Sequence, residues 1–329
     1  MACCIYKIEI GERVKKEAII LLNMGGPNNL DEVEMFLKNM FADKNILTMK
    51  SNLVRKMVGG LIVFNRAESS QEIYRKLGGK SPIVGHTKNL VKKLQEKLGD
   101  AFVVDFVMRY TPPFANEVIE KLNKEDIDKI YLIPLYPQYS TTTTKSSLED
   151  FEECYHNSEG KALLVEIKHF FENKSYNKAI IQSIKESVGD SEYRDFDIIF
   201  SAHGLPQKIV DAGDVYEKHI NRHVSILKEM LEAENMKFHD VHLAYQSKVG
   251  PMAWLKPSLE DKLKTVRNRG VIVFPIAFTI DNSETNFELG VEYKEIAKEL
   301  GFKDYRVCAC PNDSDLFVDT LVEIYEKMK

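Results

Sequence analysis

Asp197-Ile198-Ile199-Phe200-Ser201-Ala202-His203-Gly204-Leu205-Pro206 is a short run, apolar through most of its length, that stops at a glycine and a proline. A strand wetted on one face alternates apolar and polar residues, whereas one buried on both faces stays apolar, as in a parallel sheet covered by helices. We therefore place a buried strand over Asp197–Ser201. Seven similar runs bounded by turn residues stand at Ala18–Asn23, Phe102–Met108, Lys129–Leu135, Leu163–Ile167, Val241–Tyr245, Val271–Phe274 and Tyr305–Ala309. Helical patterns at Thr87–Leu98, Pro113–Leu122, Asp214–Leu231 and Glu292–Leu300 lie between them. This alternation predicts an α/β fold with doubly wound parallel sheets. Four strands precede residue 168 and four follow it. We expect two Rossmann-like domains, 1–168 and 169–329, each a parallel sheet of about four strands flanked by helices, with the last helix free to pack back on the first domain.

The composition agrees with a globular chain. Of 329 residues, 44% are hydrophobic and 29% charged, enough apolar surface for sizeable cores. Lys and Arg number 45 against 50 Asp and Glu, and the resulting charge of −5 argues against a nucleic-acid-binding face covering the molecule. Five cysteines without a Cys-x-x-Cys pair read as reduced thiols, which points to a cytoplasmic setting. Cys308 and Cys310 fall in an apolar strand as small hydrophobes, and Cys3 and Cys4 near a mobile end. Charges at Lys7, Glu9, Glu12, Arg13, Lys15 and Lys16 leave no signal-peptide core, and no stretch reaches the ~20 apolar residues of a membrane span.

The dinucleotide fingerprint Gly-x-Gly-x-x-Gly is absent after the first strand, and no Walker A sequence appears, so the commonest occupants of this architecture lose their support. Two turns echo each other instead. Asn23-Met24-Gly25-Gly26-Pro27 follows the first strand of one half and Ala202-His203-Gly204-Leu205-Pro206 the first strand of the other. Ligands of open parallel sheets sit beyond the carboxyl ends of strands, so the two turns read either as facing each other across one cleft or as two ordinary βα turns, which Gly and Pro punctuate everywhere. His203, at a strand end, suits a proton acceptor or a metal ligand. Glu284, Glu288 and Glu292 recur at i, i+4 and i+8 on one helical face, and no Lys or Arg at an intervening i+4 position relieves their repulsion. Binding or relaying cations would account for such a row; a solvated acidic face at a helix N-terminus, where the dipole favours anions, would cover Glu284 but explains Glu292 less well. The Pro134–Thr144 loop reads either as a pocket wall or as a well-packed loop with a Thr-rich tip. His219 and His223 lack the Glu of a His-Glu-x-x-His site and are expected at the surface of an amphipathic helix. Leu53–Phe64 fits an amphipathic, membrane-touching lip or a buried helix equally well.

Taken in order, Leu21–Pro27, Gly78–Pro82, Arg109-Tyr110, Pro134–Ser140, Ser201–Pro206, Tyr245–Gly250, Trp254–Pro257 and Ser283-Glu284-Thr285 resemble the ferrochelatase family nearly end to end. The resemblance implies a chelatase-like fold and insertion of Fe²⁺ into protoporphyrin IX, the step that ends haem synthesis. It implies that His203 and Glu284 are the catalytic pair facing the ring nitrogens and the metal. Glu288 and Glu292 would continue as a relay for protons or for the hydrated cation. Met24 would form the opposite wall, with Arg109, Tyr110, Tyr136, Ser140, Tyr245 and Trp254 binding the porphyrin. Iron enters as a substrate. No tightly bound cofactor and no iron–sulfur cluster are expected, and peripheral membrane contact remains compatible with the sequence.

Two positions depart from the family pattern. Asn282 stands where many members carry His, and Gly290 where Asp is frequent, so the site is thinner in ligands. Met24 favours protoporphyrin, since coproporphyrin-type relatives tend to have Tyr there. The alternatives are a coproporphyrin III ferrochelatase, a cobalt or sirohydrochlorin chelatase, and a porphyrin or haem carrier without turnover. A carrier has no need of the retained His203 and the carboxylate row.

Overall fold

The computed structural model describes residues 16–250, 252–266 and 270–329; Cys3, Cys4 and the charged residues before Lys16 lie outside these. Eight strands run through the described residues: β1 (Lys16–Asn23), β2 (Phe102–Met108), β3 (Ile127–Pro134), β4 (Leu163–Glu166), β5 (Phe196–His203), β6 (Val241–Gln246), β7 (Gly270–Pro275) and β8 (Asp304–Val307). They form two four-stranded sheets of identical order, β2-β1-β3-β4 and β6-β5-β7-β8, in which every pairing is parallel. The central strands are buried on both faces, β7 along its whole length and β5 up to His203, which is why they are apolar through most of their length. Each expected strand lies within two residues of its observed bounds. β3 and β4 stop one residue early and β8 two: it ends at Val307, and Cys308 and Cys310, though buried, sit beyond it.

In this order the chain leaves the first strand toward one side of its sheet and then crosses back to the other. The rule for open parallel sheets places a ligand crevice beyond the carboxyl ends of β1 and β3 in one sheet and of β5 and β7 in the other. Met24, Tyr136 and Glu284 follow the ends of β1, β3 and β7, and His203 is the last residue of β5.

One continuous core spans the molecule, containing Leu21 and Ile133 of the first sheet and Phe200 and Phe274 of the second. The Asp315–Met328 helix extends it across the first sheet. Its Tyr325 ring stands edge-on to Tyr131 at 4.9 Å and Phe102 at 5.3 Å, and the Tyr325 hydroxyl donates to Glu17. Lys93 and Lys97 of the Ile83–Leu98 helix pair with Asp315 and Asp319 on the same helix.

The Asn52–Lys76 helix decides the reading of Leu53–Phe64. Leu53, Met57, Leu61 and Phe64 share one helical face and are exposed, Phe64 at 83%. A buried helix is excluded, and an apolar stripe faces outward. No helix among the described residues is long and apolar enough to cross a membrane.

Candidate active site

β5 carries His203 to the rim of the second sheet, and the turn that follows permits only glycine. A Cβ on Gly204 would stand 2.9 Å from the Gln246 carbonyl and 3.2 Å from the Trp254 ring. The half-buried His203 ring meets Glu284 from the loop beyond β7, with Nδ1 3.3 Å from Oε1. That is an ion-pair distance, but the approach lacks hydrogen-bond alignment, and Nδ1 is buried without a hydrogen-bond partner. Burial opposes charge on this imidazole; the Glu284 carboxylate, with Glu288 behind it, outweighs burial and raises its pKa above the ordinary histidine value. His203 is a base with a carboxylate beside it, the arrangement needed to accept a proton and hold it.

Glu284 opens a wide coil, Glu284–Glu292, with π-helical i→i+5 hydrogen bonding. Asn282 caps it. Its side-chain oxygen accepts from the Glu284 and Thr285 backbone N–H groups at 2.8 and 3.3 Å, so Asn282 organises the coil's start. The coil gives its three acids three different environments. Glu284 faces His203. Glu288 is held by the end of β6, accepting from the Ser247 N–H at 2.8 Å, the Ser247 hydroxyl at 2.5 Å and the Gln246 amide at 3.2 Å. Burial and the neighbouring charge of Glu284 nonetheless raise the Glu288 pKa. Glu292 is exposed; burial and Glu295 raise its pKa, and Lys76 of the lip helix opposes them. A cation does therefore offset the acid row, but it comes from another element, not from an i+4 neighbour.

Gln246 and Ser247 hold Glu288 in place, and the sequence reading singled out Tyr245 beside them instead. Along a strand, neighbours point to opposite faces. Gln246 turns toward the acids, its amide oriented by the Ser201 hydroxyl at 2.8 Å, while Tyr245 is buried in the core. Ser247 adopts φ of +65°, a left-handed backbone that a serine rarely takes and that aims both its donors at Glu288. Trp254 packs over Gly204 and donates to the Val249 carbonyl.

The remaining expected residues lie in the first half. Arg109 and Tyr110 converge on buried Asp43: the Tyr110 hydroxyl donates to it at 2.8 Å, Arg109 Nη2 stands 3.4 Å away, and Ser146 also donates to it. Arg109 pairs with Asp150 at 3.0 Å as well, at the edge of a recess of about 390 Å³. The Tyr136 hydroxyl meets Ser147 at 3.1 Å, and Ser140 donates to Asp214 at 2.9 Å. Met24 is partly buried against the core.

The Pro134–Thr144 loop is well packed rather than open. His223, expected at the surface, is fully buried: its Nδ1 meets the Gln138 amide at 2.8 Å and its Nε2 meets Asn177 at 2.7 Å. Desolvation lowers its pKa to about 3, so it stays neutral, and a neutral imidazole with both nitrogens satisfied is an acceptable core residue. His219 accepts from the Tyr139 N–H at 3.2 Å.

Residues 16–329 match the ferrochelatase family model. The chain belongs to the ferrochelatase family. The ferrochelatase of Sulfurimonas denitrificans is 66% identical over 96% of this chain and 100% of its own length. That of Nitratiruptor is 50% identical over 95% and 100%, and that of Helicobacter pylori strain J99 is 46% identical over 95% and 94%. Among solved structures, SirB from Bacillus subtilis with Fe³⁺ superposes with a TM-score of 0.57 at 10% identity, covering 95% of both chains. CbiX superposes at 0.51, covering 95% of this chain and all of its own. At such low identity these likenesses show that the fold is shared with chelatases. Membership makes this chain a metal chelatase with porphyrin and iron as its substrates.

Proposed function

We propose that the chain inserts Fe²⁺ into protoporphyrin IX, with His203 and Glu284 as the catalytic pair, and the observation that carries this is His203 Nδ1, buried, unpartnered and 3.3 Å from a carboxylate. A free porphyrin holds two N–H protons that must leave as the metal enters, and its lone pairs lie in the ring plane. Walls that fit a bent ring better than a flat one lower the barrier. His203 and Glu284 take the departing protons and face the incoming metal. Glu288 and Glu292 carry protons or the cation between this pair and solvent, a role supported by their step from half-buried to exposed along the coil.

Met24 supports protoporphyrin as the substrate and forms the opposite wall. Tyr110, Tyr136 and Ser140, whose hydroxyls are committed to Asp43, Ser147 and Asp214, shape the wall from behind. The stripe Leu53, Met57, Leu61 and Phe64 supports peripheral contact with a membrane, where an apolar substrate would be exchanged. An anaerobic assay with Fe²⁺ and, in parallel, protoporphyrin IX and coproporphyrin III, read by loss of porphyrin fluorescence, tests the substrate. Faster turnover of protoporphyrin is expected; preference for coproporphyrin reverses that assignment. For the pair, His203→Ala should abolish insertion while porphyrin binding stays measurable, and undiminished turnover would remove His203 from the mechanism.

A further inference from the structure

We infer that Asp214 and Tyr216 are positioning residues for metal insertion, joining the wall of the first half to the backbone of His203 in the second. This rests on the reading of His203 as the proton acceptor. Asp214 is buried and lies after Gly213, whose φ of +105° reverses the chain in a region that favours glycine. One carboxylate oxygen, Oδ2, accepts three donors from the loop beyond β3: the Ser140 hydroxyl at 2.9 Å, the Thr141 N–H at 2.7 Å and the Thr141 hydroxyl at 2.6 Å. The other, Oδ1, accepts from the Tyr216 N–H at 2.9 Å, where the Tyr216–Ala233 helix begins. Tyr216 in turn reaches back beneath the site and donates its hydroxyl to the His203 carbonyl at 2.9 Å.

These bonds form one chain: loop beyond β3, Asp214, Tyr216, His203 carbonyl. The same helix fixes the loop further along, with Tyr139 on His219 and Gln138 on His223, so its first two turns grip two successive loop residues. A porphyrin held by the first half meets a base carried by the second, and only contacts that cross the seam can set their separation. The bonds from Ser140 and Thr141 to Asp214 cross the seam, and Tyr216 carries them on to the backbone of His203 within the second half. Near-attack geometry is sensitive to displacements of an ångström, so a contact that never touches substrate still governs turnover.

Tyr216→Phe deletes one hydroxyl and keeps the ring. Asp214→Asn keeps the shape but cannot accept from all four donors, since one of its two positions becomes an NH₂. Turnover should be measured per porphyrin-binding site, titrated by fluorescence, beside His203→Ala. We expect each variant to lower kcat roughly ten- to a hundredfold with the porphyrin KM changed by less than about twofold. The double variant should be no slower than the slower single one, as members of one chain of contacts are not additive. If Tyr216→Phe leaves kcat per binding site unchanged while His203→Ala is inactive, the positioning role is wrong and the site reading stands. Loss confined to melting temperature or to the fraction of binding-competent protein likewise overturns it. If His203→Ala remains active, the reading beneath the inference fails.

Discussion

At the scale of single residues, the site is built from groups that are individually ordinary and are altered by their neighbours. His203 is at once buried and charge-stabilised, and Glu284 is the cause of the second. A proton acceptor must be neutral, so the acid limb of kcat/KM, which reports the free enzyme, should fall above the ordinary histidine value. Glu284→Gln removes the partner and leaves the burial, and the limb of its residual activity should move to lower pH; an unmoved limb assigns it to another group. Glu284→Gln should cost about a hundredfold or more in kcat and Glu288→Gln about tenfold, because only Glu284 stands against the base. The reverse order of kcat values would refute the relay. Gly204→Ala is a packing test of the same turn: a methyl 2.9 Å from a carbonyl must displace β6 or His203, at roughly 1–3 kcal/mol of stability, read from a denaturant titration.

At the scale of elements, strands were legible and partnerships were not. Runs such as Ile198–Ala202 and Val271–Phe274 announce burial on both faces by their composition alone, because the environment acts on each residue separately. His223 shows the opposite case. On a helix pattern it is one more polar residue, and what makes its burial tolerable is Gln138 and Asn177, each from a different element and distant in sequence. Lys76 beside Glu292 and Asp43 beside Tyr110 escaped for the same reason. His203 was legible as a strand-end histidine and Glu284 as the first of three acids at i, i+4 and i+8, whereas the wide coil of Glu284–Glu292 leaves no periodic trace that separates it from an α-helix over nine residues. The neutral state of His223 has a measurable consequence. The unfolded chain protonates it near pH 6.5 and the folded one only near pH 3, so stability falls as pH drops through that window. Relative to His223→Gln, the native protein should lose about 2 kcal/mol between pH 7 and pH 5, measured by urea unfolding. Equal losses in both proteins would show that His223 titrates freely.

At the scale of the whole molecule, two sheets of the same order share one core, and a helix that follows the second sheet in sequence covers the first. Unfolding should therefore be a single event. Trp254, the only tryptophan, reports on the second half, while far-UV circular dichroism reports on both, and their transitions should coincide. Tyr325→Ala, which empties a fully buried aromatic site against Tyr131 and Phe102, should lower stability by roughly 3–5 kcal/mol and shift both probes together. Separate transitions would mean that the halves are independent.

The Asp315–Met328 helix also bears on how the molecule is made. A ribosome delivers the strands of the first sheet early, yet the surface that seals them, with Phe317, Leu321 and Tyr325, reaches the growing chain only after the entire second sheet has emerged. During that interval Tyr131 and Phe102 lack their cover. The nascent first half is thus a natural client for a chaperone, and a translational pause before residue 315 would lengthen its exposure rather than help it fold.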